Sequence, residues 1–414
     1  MRLRSRLMGA IAVAVAVAVA ACSGVLGFQD LTLAPGDADA SAGSHDGGAQ
    51  DGAGQLTPDA RVTEASADAG APDAHADVVV TCGDTTSSAV DCGRCGHSCL
   101  GGVCANSACQ PITLADSLGE PIDLVIDDAN AYVTLYSAVT VLAMNKGDGG
   151  IVTLFTDMTY GPAAITKDDA NVYFSNTNGT PAQQFIYRCG LSGCGDNPPT
   201  IGPAQGVSSL VLRGPVLYYG EETVGDVSVV AIATGAAQTL LSADAGLTPY
   251  SLAADDTWIY FTDRTNGSVR KVALDGGGPA LLVGASGTSF GLSVTDAGIF
   301  WGTVDDEAGV SAVLHTDKNG VPDGGAVPVF ALGNTPYGFA VDAQNVYWVN
   351  RGTFGSSDGS LATCPLSGCP SSGPTVLAAG RRSPRRLAVD DAAIYWVDQG
   401  TGASDGALMK IAKP

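Results

Sequence analysis

Eleven cysteines, four histidines and one tight group of arginines are the side chains of this 414-residue chain best equipped for chemistry. Six cysteines crowd together at Cys82, Cys92, Cys95, Cys99, Cys104 and Cys109, with His97 among them. Two chemistries suit that spacing: a zinc site drawing on Cys92, Cys95, Cys99 and His97, or three disulfides. Four more cysteines form two matched pairs, Cys189 with Cys194 and Cys364 with Cys369, each enclosing a Leu-Ser-Gly run. Their spacing is not the two-residue gap of thioredoxin-like redox motifs, and no helix start is near to lower a thiol pKa, so each pair reads as a local disulfide. Arg381, Arg382, Arg385 and Arg386 form the only basic cluster beyond the N-terminus. They could hold an anion or an acidic polymer; a solvated loop paired with carboxylates is the plainer reading. His315 is the only histidine from residue 111 onward. A multi-histidine metal site is thereby excluded there, and a Ser-His-Asp triad would have to use this one residue. Asp317, Asn319 and Asp323 have a loosely calcium-like spacing, but Asn319-Gly320 is also a turn signal and reads as one. No catalytic residue, metal ligand or cofactor motif is assigned, and none to His45 or His75.

These side chains are carried by an acidic, glycine-rich chain. Its net charge of −22 repels nucleic acid and anionic lipid, so neither is an expected partner through charge. Fifty-five glycines with modest aromatic content suit many short strands joined by tight turns. The chain begins with Arg2, Arg4 and Arg6, then runs apolar from Leu7 to Ala21. That run is short for a membrane span, which needs about 20 residues, and has the layout of a secretory signal peptide. From about Asp30 to Ala76 nearly every residue is Ala, Asp, Gly, Ser or Pro. Such a segment cannot bury enough apolar surface to offset its ordering entropy, so residues 22–81 are expected to form a disordered tether.

Val19-Ala20-Ala21-Cys22, at the end of the apolar run, resembles the lipobox of bacterial lipoproteins. The resemblance implies acylation of Cys22 and cleavage just before it. By resemblance to enterobacterial sorting, Ser23 in place of aspartate directs the protein to the outer membrane. Export settles the cysteine chemistry in favour of disulfides, and the ten cysteines left after Cys22 are an even number. The stretch from Asp91 to Cys104 resembles cysteine-rich modules of exported myxobacterial proteins, here covering residues 82–110. Six cysteines permit fifteen pairings, and the sequence does not choose among them.

From residue 111 to 414 the signal is repetition. An apolar-aromatic strand recurs at Ala131-Tyr132-Val133, Val172-Tyr173-Phe174, Leu217-Tyr218-Tyr219, Ile259-Tyr260-Phe261, Ile299-Phe300-Trp301, Val346-Tyr347-Trp348 and Ile394-Tyr395-Trp396. Four units carry an Asp-Asp pair before it, at Asp127, Asp168, Asp255 and Asp390. Aspartate suits such turns because its carboxylate accepts backbone N–H bonds. Each unit parses as four short strands, the grammar of a propeller blade. The last unit ends after its third strand, and Ile112 to Ala115 matches the missing fourth. An all-β propeller of seven four-stranded blades is therefore expected, closed by an N-terminal strand; six or eight blades remain the alternatives. Tyr260-Phe261-Thr262-Asp263 and Tyr395-Trp396-Val397-Asp398 resemble the Tyr-Trp-Thr-Asp repeats of low-density-lipoprotein-receptor-type propellers. That family has six blades, and its aspartate binds neighbouring blades together.

Together these features predict a monomeric cell-envelope lipoprotein, held to the membrane by its lipid. It would present a propeller as a non-catalytic binding or scaffold module for protein or glycan. A propeller hydrolase or lyase using carboxylates, with or without calcium, is the alternative, and a purely structural surface protein the third.

Overall fold

The computed structural model describes residues 84–414 apart from 157–159, 178–182, 196–197, 243–245, 279, 285–286, 306–309 and 322–326. Cys22, the rest of the tether, Cys82, His45, His75 and Asp323 lie outside the described residues. Seven four-stranded antiparallel sheets form the blades of a propeller. Blade 1 runs through Pro121–Ile126, Asn130–Leu135, Thr140–Asn145 and Ile151–Thr156. Five blades of the same order follow, their inner strands starting at Pro162, Val207, Pro249, Thr288 and Pro336. Blade 7 takes Pro384–Val389, Ala393–Asp398 and Gly406–Ala412 from the C-terminal side and Ile112–Leu118 from the N-terminal side. The closing register sets Ile112 opposite Lys410 and Ala115 opposite Leu408, so the expected ring closure and the count of seven both hold. The hairpin order places the turns after first and third strands at one end, here the turn end. The linkers between blades lie at the opposite, linker end.

The recurring aromatic strand explains why blades stack. Successive residues of a strand face opposite sides of the sheet, so each dipeptide serves two different interblade spaces. Tyr132 of blade 1 shares a buried cluster with Phe174 of blade 2, and Tyr173 with Tyr219 of blade 3. The series continues as Tyr218 with Phe261, Tyr260 with Trp301, Phe300 with Trp348, and Tyr347 with Trp396. It closes with Tyr395 of blade 7 against Val133 of blade 1.

Tyrosine is favoured at the first aromatic position because its hydroxyl has a partner. At the turn end, Asp127 Oδ1 accepts the N–H groups of Ala129 and Asn130, while Oδ2 accepts the Tyr132 hydroxyl at 2.7 Å. The same geometry recurs for Asp168 with Tyr173, Asp255 with Tyr260, and Asp342 with Tyr347. The Asp-Asp pattern is stricter than the geometry requires: at Asp127, Asp168 and Asp255 it is the first aspartate that bonds the turn and the tyrosine, and Asp342-Ala343 is a further instance. In blade 5 the two positions hold Thr295 and Phe300, so hydroxyl and carboxylate are absent together. Lysines of the following blade also reach these turns, Lys167 to Asp127 at 3.6 Å, Lys146 to Asp390 at 2.6 Å and Lys413 to Asp342 at 2.7 Å.

The cysteine-rich module precedes the closing strand. Cys92–Cys104 and Cys99–Cys109 are disulfides, and Cys95 is disulfide-bonded as well. Cys92, Cys99 and Cys109 lie close enough to suggest a metal triad, but their sulfurs are consumed in these bonds. The module rests against the C-terminal end of blade 7: His97 Nε2 lies 2.7 Å from the Lys413 carbonyl oxygen and Arg94 donates to that of Pro414 at 3.3 Å.

Two outcomes test this architecture. Deleting residues 23–80 should leave the melting temperature unchanged, whereas deletion through Leu118 should abolish cooperative melting; a deletion through Gln110 separates loss of the module from loss of the strand. An identical melting temperature for the longest deletion would refute closure. The second concerns Asp255. Against the upward push of burial, the N–H groups of Thr257 and Trp258, the Tyr260 hydroxyl and Lys318 hold its pKa down at about 2, from 3.8. Because the folded value is the lower one, ionised Asp255 stabilises the protein above about pH 4, and that stability is lost as the pH falls toward 2. Asp255→Asn should therefore cost about 1–2 kcal/mol at pH 7, and thermal melts of the two proteins should converge by pH 2.

Candidate functional site at the linker end

Each inner strand opens with a bulge that sorts its side chains. Register breaks directly after Pro121, Pro249, Pro336 and Pro384, and at the matching points of the other three inner strands. Bulges of this kind re-aim side chains. The residue after each break faces the central channel: Ile122, Ala163, Ser208, Tyr250, Phe290, Tyr337 and Arg385 in blade order. The next residue meets the neighbouring blade. Asp123, Ser209 and Ser251 accept the backbone N–H of Ile165, Leu252 and Leu292 from the following blades, at 3.1, 3.1 and 3.3 Å. In blades 5 and 6 this position is glycine, and a Cβ on Gly291 or Gly338 would collide with the carbonyl of Tyr337 or Arg385. Glycine thus lets blades 5, 6 and 7 approach closely, which brings their channel residues together.

The ring is lopsided as a result. On one side Tyr250, Phe290 and Tyr337 pack edge and face, with centroids 6.2 Å (Tyr250–Phe290), 6.0 Å (Tyr250–Tyr337) and 4.9 Å (Phe290–Tyr337) apart. The Tyr250 and Tyr337 hydroxyls hydrogen-bond each other, and Arg385 Nη2 donates to them at 3.4 and 3.0 Å. On the other side, small Ala163 and Ser208 leave a cavity of about 560 Å³, bordered also by Ile122, Asp123, Tyr250, Arg385 and Arg386.

A second tier sits above. In six blades the first residue after the second strand donates its N–H to the carbonyl just before the inner strand: Tyr136 to Glu120, Thr177 to Gly161, Glu222 to Gly206, Arg264 to Thr248, Arg351 to Thr335 and Gln399 to Ser383. Arg264 thereby stacks 4.8 Å over the Tyr250 ring, and Arg351 sits 5.1 Å over Tyr337 and 4.7 Å over Phe354. Four guanidinium groups now surround one pair of phenols. Two have carboxylate partners: Arg264 bridges Glu222 at 2.5 Å, and Arg386 lies 3.7 Å from Asp123. Among the described residues, Arg351 and Arg385 have none, and the Nε of each is buried without a hydrogen-bond partner.

The electrostatic consequences differ between the two phenols. Burial and the adjacent Tyr337 push Tyr250 up to about 12. Tyr337 is also pushed up by burial, but Arg385, the Tyr250 hydrogen bond and Arg351 outweigh this and hold it below the ordinary tyrosine value. Burial pushes the Asp123 carboxyl up, opposed by Arg386 and the Ile165 N–H.

The four arginines read as one cluster do not act as one. Arg381 ends the outer strand of blade 6 and pairs with buried Asp398 of blade 7; Arg382 reaches Asp405 at 3.5 Å. Arg381 with Asp398 is an interblade clasp, the role the propeller resemblance implies for that aspartate. Arg385 and Arg386 lie within the inner strand Pro384–Val389. Only these two reach the channel. Cys189–Cys194 and Cys364–Cys369 are disulfides at the turn end, far from it in the fold. His315 stacks on Phe300 at 4.3 Å and faces the Ala297 carbonyl in the same blade, also at the turn end. Asp317 Oδ1 accepts the Asn319 N–H at 2.7 Å, the turn expected of that segment. Sequence reasoning missed Tyr250, Phe290, Tyr337, Arg264 and Arg351. Aligning the units on the first aromatic residue of the recurring apolar-aromatic motif, and reading the tenth residue before it and the fourth after it, would have found all five.

The fold is that of a seven-bladed β-propeller. Neither a protein-family model nor a curated protein matches the sequence. Among solved structures, it is similar to a streptogramin B lyase at TM-score 0.57 and 10% identity, over 73% of this chain and 97% of that one. A catalytically inactive virginiamycin B lyase from Staphylococcus aureus with quinupristin gives 0.55 and 13%, over 74% and 99%. A chain of a nidogen/laminin complex aligns at 0.42 and 14%, over 57% and 89%. The two lyase likenesses establish the propeller fold and nothing finer.

The phenol pair generates a spectroscopic expectation. Alkaline titration followed at 295 nm should show one tyrosine ionising below the usual range, and Tyr337→Phe should remove that step alone. Persistence of the step in Tyr337→Phe would refute the electrostatic account.

Proposed function

We propose that this chain is an exported, lipid-tethered binding protein whose propeller receives its ligand in the linker-end cavity. The observation that carries the reading is the floor of that cavity. Its guanidinium and phenol groups are fixed by stacking and mutual hydrogen bonds, so few side chains need ordering when a ligand binds. The direction of the fold agrees. The cysteine-rich module joins the closing strand at its turn-end side, so a tether attached there leaves the mouth at the opposite end unobstructed. Paired disulfides fit an oxidising compartment. Acylation of Cys22 and residence in the outer membrane belong to this proposal, as does the division into signal peptide, tether, module and propeller.

The runner-up is a hydrolase or lyase that works through carboxylates. The carboxylates at the mouth argue for the binding reading instead. Glu120 is engaged by the Ser137 hydroxyl, Asp123 by backbone N–H groups and Arg386, and Glu222 by Arg264. They support the wall rather than converge on a common point.

Two arms test the proposal. Cys22→Ala should abolish incorporation of labelled fatty acid and shift the protein from the membrane to the soluble fraction. Ala163→Phe should fill the cavity and suppress binding of polar fragments that wild type captures in ligand-observed NMR. Unchanged fractionation would refute the anchor, and fragment binding unaffected by Ala163→Phe would refute the cavity as the ligand site.

A further inference from the structure

Building on that binding reading, we infer that the cavity is a carboxylate receptor. Its ligand would be a small monoanion whose single carboxylate seats against Arg385, on a body rich in hydroxyl or amide groups. A sugar acid and a short peptide with a free C-terminus share this chemistry.

The argument starts from charge. Arg385 borders a partly enclosed site with no carboxylate in ion-pair contact among the described residues, Asp123 acting on it only at longer range, and desolvating a charge without a close partner is costly. The Arg385 Nη2 is engaged by the Tyr250 and Tyr337 hydroxyls, while its buried Nε–H has no partner among the described residues. A guanidinium fork is matched in shape and charge to a carboxylate. The stacked phenols hold that fork in one orientation, so binding need not order it. The far wall carries Thr177, Gln184, Ser208, Thr223 and Gln399, with the Ser208 hydroxyl donating to the Pro249 carbonyl and Gln184 Oε1 accepting the Gly206 N–H, so the remainder of the ligand meets a polar surface already held in place by hydrogen bonds. Net charge supplies selectivity. A chain of charge −22 repels polyanions at long range, whereas a monoanion pays little before it reaches Arg385. The cavity of about 560 Å³ accommodates a ligand of one or two sugar or amino-acid units.

The test uses the full chain and matched pairs: glucuronate against glucose, and N-acetyl-dialanine against its amide, by isothermal titration. At least one acid should bind about tenfold or more tightly than its neutral partner. Whichever acid does so identifies the sugar or peptide source. Arg385→Gln should erase that preference, while Arg382→Gln, at the exposed Asp405 pair, should keep it. Should Arg385→Gln fail to fold, wild type alone decides: the saturating acid should move the ionisation of Tyr337 upward at 295 nm, because it adds a negative charge beside the phenol, and the neutral partner should not. Equal binding of acid and neutral partner, both lost in Ala163→Phe, would overturn the carboxylate assignment and leave the cavity reading intact. Binding that survives Ala163→Phe, or no binding of any probe, would overturn both.

Discussion

Every other feature of this molecule depends on one packing relation: the first aromatic residue of one blade buried against the second aromatic of the next. Because a strand alternates its faces, a dipeptide is enough to bind a blade to both neighbours. Each large side chain buried there contributes about 1.5–3 kcal/mol, and six of the seven interfaces hold such a pair, from Tyr132 with Phe174 to Tyr347 with Trp396. The seventh, Tyr395 with Val133, is also the place where chain continuity gives out and the N-terminal strand must complete the ring. Once blades are bound this way, their inner strands are brought round a common axis, and single residues far apart in sequence become neighbours.

The architecture was legible because that dipeptide recurs in every unit, and because Ile112 to Ala115 matched a strand the last unit lacked. The turn aspartates were legible only in part. Asp128, Asp169 and Asp391 stand beside the working residue without sharing its hydrogen bonds to the strand tyrosine, so the doublet drew attention away from Asp342. The site was nearly invisible for a different reason. Its positions are the ones the repeat leaves free: Ile122, Ala163, Ser208, Tyr250, Phe290, Tyr337 and Arg385 follow no one side-chain type around the ring. The arginine group shows how proximity in sequence misleads. A strand boundary and the two-residue period send Arg381 to Asp398, Arg385 into the channel and Arg386 toward Asp123.

Variation at free positions on a constant frame is also what permits a lopsided channel. Glycine at 291 and 338 is a packing feature with a chemical result, since close approach of three blades concentrates rings and guanidiniums on one side and leaves room on the other. The scaffold and the site are thus encoded by different residues of the same strands.

The closing strand has a consequence for when the protein can become itself. Ile112 is among the first propeller residues to be synthesised, and its partner Lys410 among the last. Joining them closes a loop of nearly the whole domain, with an entropic cost that grows with the logarithm of loop length and a contact order that slows folding. Six blades can assemble early, but the ring stays open until the final strand has emerged. Until Lys410 has been made, the strand at Ile112 has no partner, and the edge that the ring removes stays open.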